Sequence, residues 1–264
     1  MVAAEEIVRI ACEAGRAILD IYRRAAPLSV KEKEDHSPLT EADLAAHNII
    51  CDQLKQLTPG VPILSEESTE TVPYETRKKW QRFWIVDPLD GTKEFIKKNG
   101  EFTVNIALIE GGQPTLGVIY APVLNAIYMA ELGKGAFKID SNGKTQSLPI
   151  KHAASNVLKV VLSRSHCSQE TLDYINTLAS DDVDVEIVSV GSSLKFCLVA
   201  EGEADIYPRF GATMEWDIAA GDIIAREAGM RISNYSTKLP LQYNKEELRN
   251  DYFICERIRQ ALAL

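Results

Sequence analysis

The sequence lacks the features that would assign it to several large classes of protein. No run approaches the roughly 18 consecutive apolar residues that span a bilayer, so no integral membrane segment is expected. The five cysteines (Cys12, Cys51, Cys167, Cys197 and Cys255) are odd in number and scattered. None forms a CxxC or a zinc-like spacing with His36, His47, His152 or His166, so reduced thiols packing as small hydrophobes are expected. Excess positive charge is missing too. A net charge of -9 leaves no basic face for nucleic acid. A small phosphorylated ligand remains compatible, because bound cations reverse the local field. There is no internal repeat and no low-complexity tract. The opening MVAAEEIVRIACEAGRAILDIYRR puts acids first and arginines last, the wrong polarity for a signal peptide.

What is present is an ordinary globular composition, 45% hydrophobic and 25% charged over 264 residues. That length suits one large domain or two smaller ones sharing an interface. Ile7, Ala11, Ala14, Ile18 and Ile21 recur at helical spacing and predict an amphipathic opening helix. After a polar link, KEKEDHSP, the run Thr40-Glu41-Ala42-Asp43 has the form of a capping box opening a second helix. VPIL at 61–64 and RFWIV at 82–86 read as strands. From Phe102 the apolar period changes to two, and TLGVIYAP, AIYMAEL and GAFKI follow between turn residues, which predicts an antiparallel meander. Beyond about residue 150, short strands (VLKVVLS, VEIVSV, ADIYP, GMRISN, DYFIC) alternate with helical segments. Two sub-domains are therefore expected: an N-terminal α+β half, residues 1–145, and a C-terminal α/β half, residues 146–264.

The chemistry concentrates in WIVDPLDGTKEF, residues 84–95. A buried-looking strand surfaces into Asp87 and Asp90, and Pro88 and Gly91 shape a tight turn there. Asp87, the Leu89 carbonyl and Asp90 all offer hard oxygen atoms, the ligands that magnesium prefers. Taken alone, DPLDG is equally an ordinary turn after a strand. Glu66 in ILSEES follows another short apolar strand, with a solvated acid as the competing reading. Asp217 in MEWDIAAGD opens a helix, where an acid also complements the dipole. Four carboxylates held together repel unless cations neutralise them. Two magnesium ions about 3.5–4 Å apart would do so and would clamp the oxygens of a phosphoryl displacement. Thr92 can cap the next helix or pass a proton from an attacking water to Asp43, itself a capping-box acid.

The set PILSEES, WIVDPLDGTKEF and EWDIAAGDII resembles the magnesium-dependent, lithium-sensitive phosphatase superfamily that includes inositol monophosphatase and fructose-1,6-bisphosphatase. SPLTEADLAAH, VDPLDGTKEFIKKNGEFTVNIALIE and GSSLKFCLVAEGEADIYPRFG extend the likeness to its bacterial 3'(2'),5'-bisphosphate nucleotidase branch, over almost the whole chain. The resemblance implies a layered α/β/α/β/α sandwich and two or three magnesium ions. Glu66, Asp87 and the Leu89 carbonyl would hold one ion, and Asp87, Asp90 and Asp217 another. Asp43 and Thr92 would orient and deprotonate the attacking water. The implied substrate is 3'-phosphoadenosine 5'-phosphate (PAP), giving AMP and phosphate in sulfur metabolism, in the cytoplasm. Association with the cytoplasmic face of the inner membrane is left open. Glu66, Leu89, Asp90, Gly91, Thr92 and Asp217 would then also surround the scissile phosphate.

The second phosphate needs further cations. Lys195 in GSSLKFCL and Arg209 in YPRFG are the candidates, with surface charges as the competing reading. Ser192, before a predicted helix, would help through its turn. Arg164 is a weaker candidate, and Trp216 either packs near the base or lies in the core. Lys93 and Glu94 have equally good helix-surface readings, and the histidines receive no role. Two rivals remain: a phosphatase of the same superfamily acting on inositol or sugar phosphates, and a nucleotide sensor without turnover.

Overall fold

The computed structural model describes residues 3–24, 30–32, 38–150, 157–165, 167–179 and 183–258. His36, His152 and His166, and most of the polar link at 31–38, lie outside them. The chain opens with α1 (Ala4–Tyr22), the ribbon β1 (Val30–Glu32) and β2 (Pro38–Thr40), and α2 (Glu41–Leu57). Next come β3 (Ile63–Ser65), a 3-10 turn at Glu66–Thr71, α3 (Tyr74–Arg77), β4 (Arg82–Asp90) and α4 (Thr92–Ile96). The meander is β5 (Thr103–Glu110), β6 (Gln113–Ala121), β7 (Ala126–Glu131), β8 (Gly135–Ile139) and β9 (Thr145–Ser147). The rest is β10 (Val157–Ser163), α5 (Gln169–Asn176), β11 (Asp184–Val190), α6 (Leu194–Glu201), β12 (Ile206–Arg209), α7 (Glu215–Glu227), β13 (Met230–Asn234) and β14 (Phe253–Arg257).

These strands make a seven-stranded sheet in chain order, β3 to β9, and a five-stranded sheet ordered β11-β10-β12-β14-β13. In the first, β3 runs parallel to β4 and every later pair is antiparallel, so the predicted meander is present. In the second, β10 lies parallel to β11 and β12, while β14 runs antiparallel to β12 and β13.

Side-chain alternation explains the layers. On β4 to β6, Trp84, Val86, Val104, Ile106, Leu108, Val118 and Tyr120 face the apolar stripes of α1 and α2. Their neighbours Phe83, Ile85, Ala107, Ile109 and Ile119 face the opposite way, onto α6 and α7. A period of two thus serves two cores, which is why these strands are apolar almost throughout. The five-stranded sheet repeats the device. Val161, Tyr207, Phe253 and Cys255 close on the α6–α7 layer. Leu158, Val160, Leu162, Ile206 and Ile254 instead join Ile175 of α5 on the far face. The order is therefore α1 and α2, sheet, α6 and α7, sheet, α5: the α/β/α/β/α sandwich. Close approach in the middle layer depends on Gly117 of β6, where a Cβ would stand 2.4 Å from Ile223 Cγ2 and 2.8 Å from the Ala220 carbonyl. No helix among the described residues is long and apolar enough to cross a membrane.

Candidate active site

Asp87 and Asp90 are three residues apart, and a regular strand would send them to opposite faces. The register prevents this. Asp87 pairs with Asn105 and Asp90 with Thr103, so Pro88 and Leu89 together oppose Val104 alone. This is a β-bulge, and its extra residue returns Asp90 to the side of Asp87. DPLD is thus the bulged end of β4 rather than the tight turn expected; the chain turns only at Gly91, whose φ of 92° suits glycine.

Glu66 begins the turn after β3, one strand over, close enough for its charge to act on Asp87. Asp217, in the first turn of α7, enters from the middle layer and accepts the Met214 N–H at 2.9 Å. Asp87 lies fully buried. Burial, then the charges of Glu66, Asp90 and Asp217, push its pKa well above the carboxylate range. Burial raises Asp90 to about 6, against the charge of Lys195 and hydrogen bonds from the Ser193 N–H and Asn105. Asp217 is raised to about 8 by burial and by the Asp90 charge.

Protein groups alone therefore leave this cluster short of positive charge. That deficit, with an all-oxygen donor set, fits hard divalent cations. Among the described residues, no three acidic, thiol or imidazole side chains are gathered tightly enough to enclose an ion as they stand. The fit rests on donor chemistry and mutual repulsion, not on a closed cage.

Asp43 serves both of its possible roles at once. Its Oδ2 accepts from the Thr40 N–H at 2.8 Å and from Thr40 Oγ1 at 2.5 Å, completing the capping box of α2. Its Oδ1 faces Thr92 Oγ1 at 3.3 Å, and the same hydroxyl lies 3.3 Å from the Leu89 carbonyl. Thr92 is the first residue of α4, whose cap is Gly91.

In front of these groups opens a cavity of about 400 Å³. Asp90, Gly91, Thr92, Ser192, Lys195, Arg209 and Asp217 line it, while Asp43, Glu66, Asp87 and Leu89 are not part of its lining. Lys195 is buried, hydrogen-bonds the Ser192 carbonyl and sits 5.4 Å from the Tyr207 ring centre. Burial, only partly offset by Asp90, holds its pKa down to about 8, and the Arg209 charge pushes the same way. The far end of α6 is anchored by Glu201, which bonds Tyr128 Oη at 2.5 Å and Lys138 Nζ at 2.8 Å.

Several site residues escaped the sequence reading. Asn105, opposite Asp87, reaches Asp90 at 3.4 Å and accepts from Ser193 Oγ at 2.8 Å; Ser193 also meets Thr103 at 2.7 Å. Their polar types inside an otherwise apolar strand were the available signal. Glu94 is buried against the cavity rather than on a helix surface, and it accepts from Ser165. Trp216 packs into the core of the middle layer. Arg164 is committed to Glu101. His47 Nδ1 lies 2.8 Å from Ser65 Oγ, beside Glu66.

Residues 3–262 match the inositol monophosphatase family. The 3'(2'),5'-bisphosphate nucleotidase CysQ of Escherichia coli K12 is 49% identical over 92% of this chain and 94% of its own length. The enzyme of the same name from Haemophilus influenzae is 36% identical over 94% and 90%. The crystal structure of CysQ from Bacteroides thetaiotaomicron superposes with a TM-score of 0.87 at 46% identity, covering 97% of each chain. Thermotoga maritima IMPase gives a TM-score of 0.75 at 26% identity, over 94% of this chain and 89% of its own. With a family match along nearly its whole length and relatives close to half identical, this chain belongs to the inositol monophosphatase family.

Proposed function

We propose that the protein is a magnesium-dependent 3'(2'),5'-bisphosphate nucleotidase that removes the 3'-phosphate of PAP to give AMP and phosphate. The observation that carries this reading is the union of two chemistries in one cleft. A bulged strand aligns acids that need cations, and two cations, Lys195 and Arg209, line the same cavity. Relatives named as bisphosphate nucleotidases support the substrate.

In this reading Glu66, Asp87 and the Leu89 carbonyl hold one magnesium, and Asp87, Asp90 and Asp217 hold a second. Bound there, magnesium supplies neutralisation of the phosphoryl oxygens and of the leaving alkoxide. The protein's own residues do the rest. Thr92 Oγ1 accepts a proton from the attacking water as it donates its own to Asp43 Oδ1, which Thr40 holds in place. Lys195 and Arg209 repel each other in a buried space, and a phosphate between them relieves that repulsion. The Ser192 turn flanks the same phosphate. Residues 1–145 then carry most of the hydrolytic machinery, and residues 146–264 contribute Asp217 and the nucleotide contacts. We place the enzyme in the cytoplasm.

Phosphate release from PAP, inositol monophosphate and fructose 1,6-bisphosphate, with and without magnesium, tests the proposal. Magnesium-dependent release with strong preference for PAP is expected. Preference for another substrate discards the nucleotide contacts, and tight PAP binding without release makes the protein a sensor.

A further inference from the structure

The two sheets meet at the cavity through a cluster that no part of the chemistry above uses. Glu101 lies in the loop between α4 and β5, and Arg164 just beyond β10. Neither lines the cavity. Arg164 Nε and Nη2 donate to the two Glu101 oxygens at 2.7 Å each, a bidentate pair, and Nη2 also donates to the Ser189 carbonyl at 2.6 Å. The Gly191 N–H donates to Glu101 Oε2 at 2.9 Å. Glu101's own N–H is held by Asn99 Oδ1 at 3.0 Å.

Two glycine turns converge on this residue. A Cβ on Gly191 would lie 2.7 Å from Glu94 Cγ and 2.8 Å from the Glu101 carbonyl. A Cβ on Gly91 would lie 2.9 Å from the same carbonyl and 3.2 Å from Ser192 Cβ. Gly91 follows the acid Asp90; Gly191 precedes Ser192 and leads to Lys195. Ser192 itself has φ 51°, a left-handed conformation that a serine keeps only when its surroundings impose it.

We infer that Glu101 and Arg164 are positioning residues: a clasp between the halves that sets the span from the acidic cluster to Lys195, and so selects a ligand carrying two phosphates at that span. The role depends on Lys195 and Arg209 holding the second phosphate, as proposed above. An isolated, partly exposed ion pair contributes little to stability. This one is bidentate, shares an oxygen with a backbone amide, and sits at the junction of two turns with no slack.

The test compares PAP with 3'-AMP, which lacks the 5'-phosphate, in Glu101→Ala, Glu101→Gln, Arg164→Lys, Lys195→Met and the unaltered enzyme. In Glu101→Ala the kcat/KM ratio of PAP over 3'-AMP should fall about tenfold, short of the roughly hundredfold cost of an ångström of misplacement at the chemistry itself. The fall should lie in KM for PAP, with kcat/KM for 3'-AMP held within about twofold. Glu101→Gln keeps an acceptor for Gly191 and should lose less. Arg164→Lys keeps the charge without the fork and should lie between them. Adding Arg164→Ala to Glu101→Ala should cost little more, as partners in one clasp are non-additive.

An unchanged ratio in Glu101→Ala and Arg164→Lys, with Lys195→Met collapsing it, overturns the clasp alone. A ratio unmoved by Lys195→Met overturns the second-phosphate assignment and the clasp with it. Parallel losses on both substrates reduce Glu101 to a structural residue and also overturn the proposal. Should Glu101→Ala not fold, Glu101→Gln and Arg164→Lys carry the same test.

Discussion

The two sheets treat their edges and faces differently. In the seven-stranded sheet, β4 and β5 are buried on both faces from Phe83 to Leu89 and from Thr103 to Ile109. In the five-stranded sheet, the edge strand β11 alternates between exposed and half-buried along its length, with Ile187 half exposed. Asp87 and Asp90 of the proposed metal site lie on β4 of the first sheet, where close packing tolerates little displacement. Lys195 and Arg209, the proposed nucleotide contacts, come from the second half, at the start of α6 and the end of β12. In the proposed mechanism, work that needs fixed atomic spacing falls to the better buried region. In the same proposal, substrate choice falls to elements whose spacing to it depends on a few crossing contacts, such as Asp90 with Ser193 and Glu101 with Arg164.

The largest effect should come from the buried sheet. Asp87→Asn is expected to reduce PAP turnover by more than about a thousandfold. In metal-free protein it should raise the thermal midpoint, because a repelling buried carboxyl is gone, while the stabilisation conferred by added magnesium shrinks. Near-normal turnover would remove Asp87 from the metal site. Next, Thr92→Ala should lower kcat by about 10²–10⁴-fold with magnesium affinity retained, read by calorimetric titration. A surviving kcat would remove the hydroxyl from the proton path.

On the second half the effect should move from kcat to KM. Lys195→Met is expected to raise KM for PAP by about 10- to 100-fold, the loss of a charge-assisted hydrogen bond, with kcat little changed. pH acts in the same direction. With burial holding the Lys195 pKa at about 8, its ammonium is present below that value and lost above it, so KM should rise as pH passes through 8. Lys195→Arg, which stays charged, should flatten that rise. A KM indifferent to both changes would sever Lys195 from the substrate. Smallest of all, Ile187→Ser on exposed β11 should alter stability by no more than about 0.5 kcal/mol. Truncating Ile109 to alanine in the buried sheet should cost about 2–5 kcal/mol by denaturant titration. Equal costs would erase the contrast between the sheets.

Most of the framework was legible along the chain. The opening helix, the Thr40–Asp43 capping box, the meander and the five later strands follow from local periodicity and turn chemistry, which act over a few residues. The candidate acids were legible for the same reason, since each follows a short apolar strand or opens a helix. What no local pattern could show was how they come together. The bulge that turns Asp90 to the side of Asp87 exists only in the pairing of β4 with β5. Asp43 divides its oxygens between Thr40 and Thr92 because α2 packs beside β4. Glu94, which the sequence left equally open to a place by the site and to a helix surface, is buried where the Gly191 turn closes over it. Sequence by itself determined most of the helices and strands and which acids were candidates for the chemistry, because those depend on neighbours along the chain. Tertiary structure alone decided the register, the crossing contacts of Glu101, Asn105 and Ser193, and the facing of Lys195 toward the acids. The register depends on the pairing of β4 with β5, and the crossing contacts on residues 88 and 90 positions apart meeting where two sheets share one packed layer of helices.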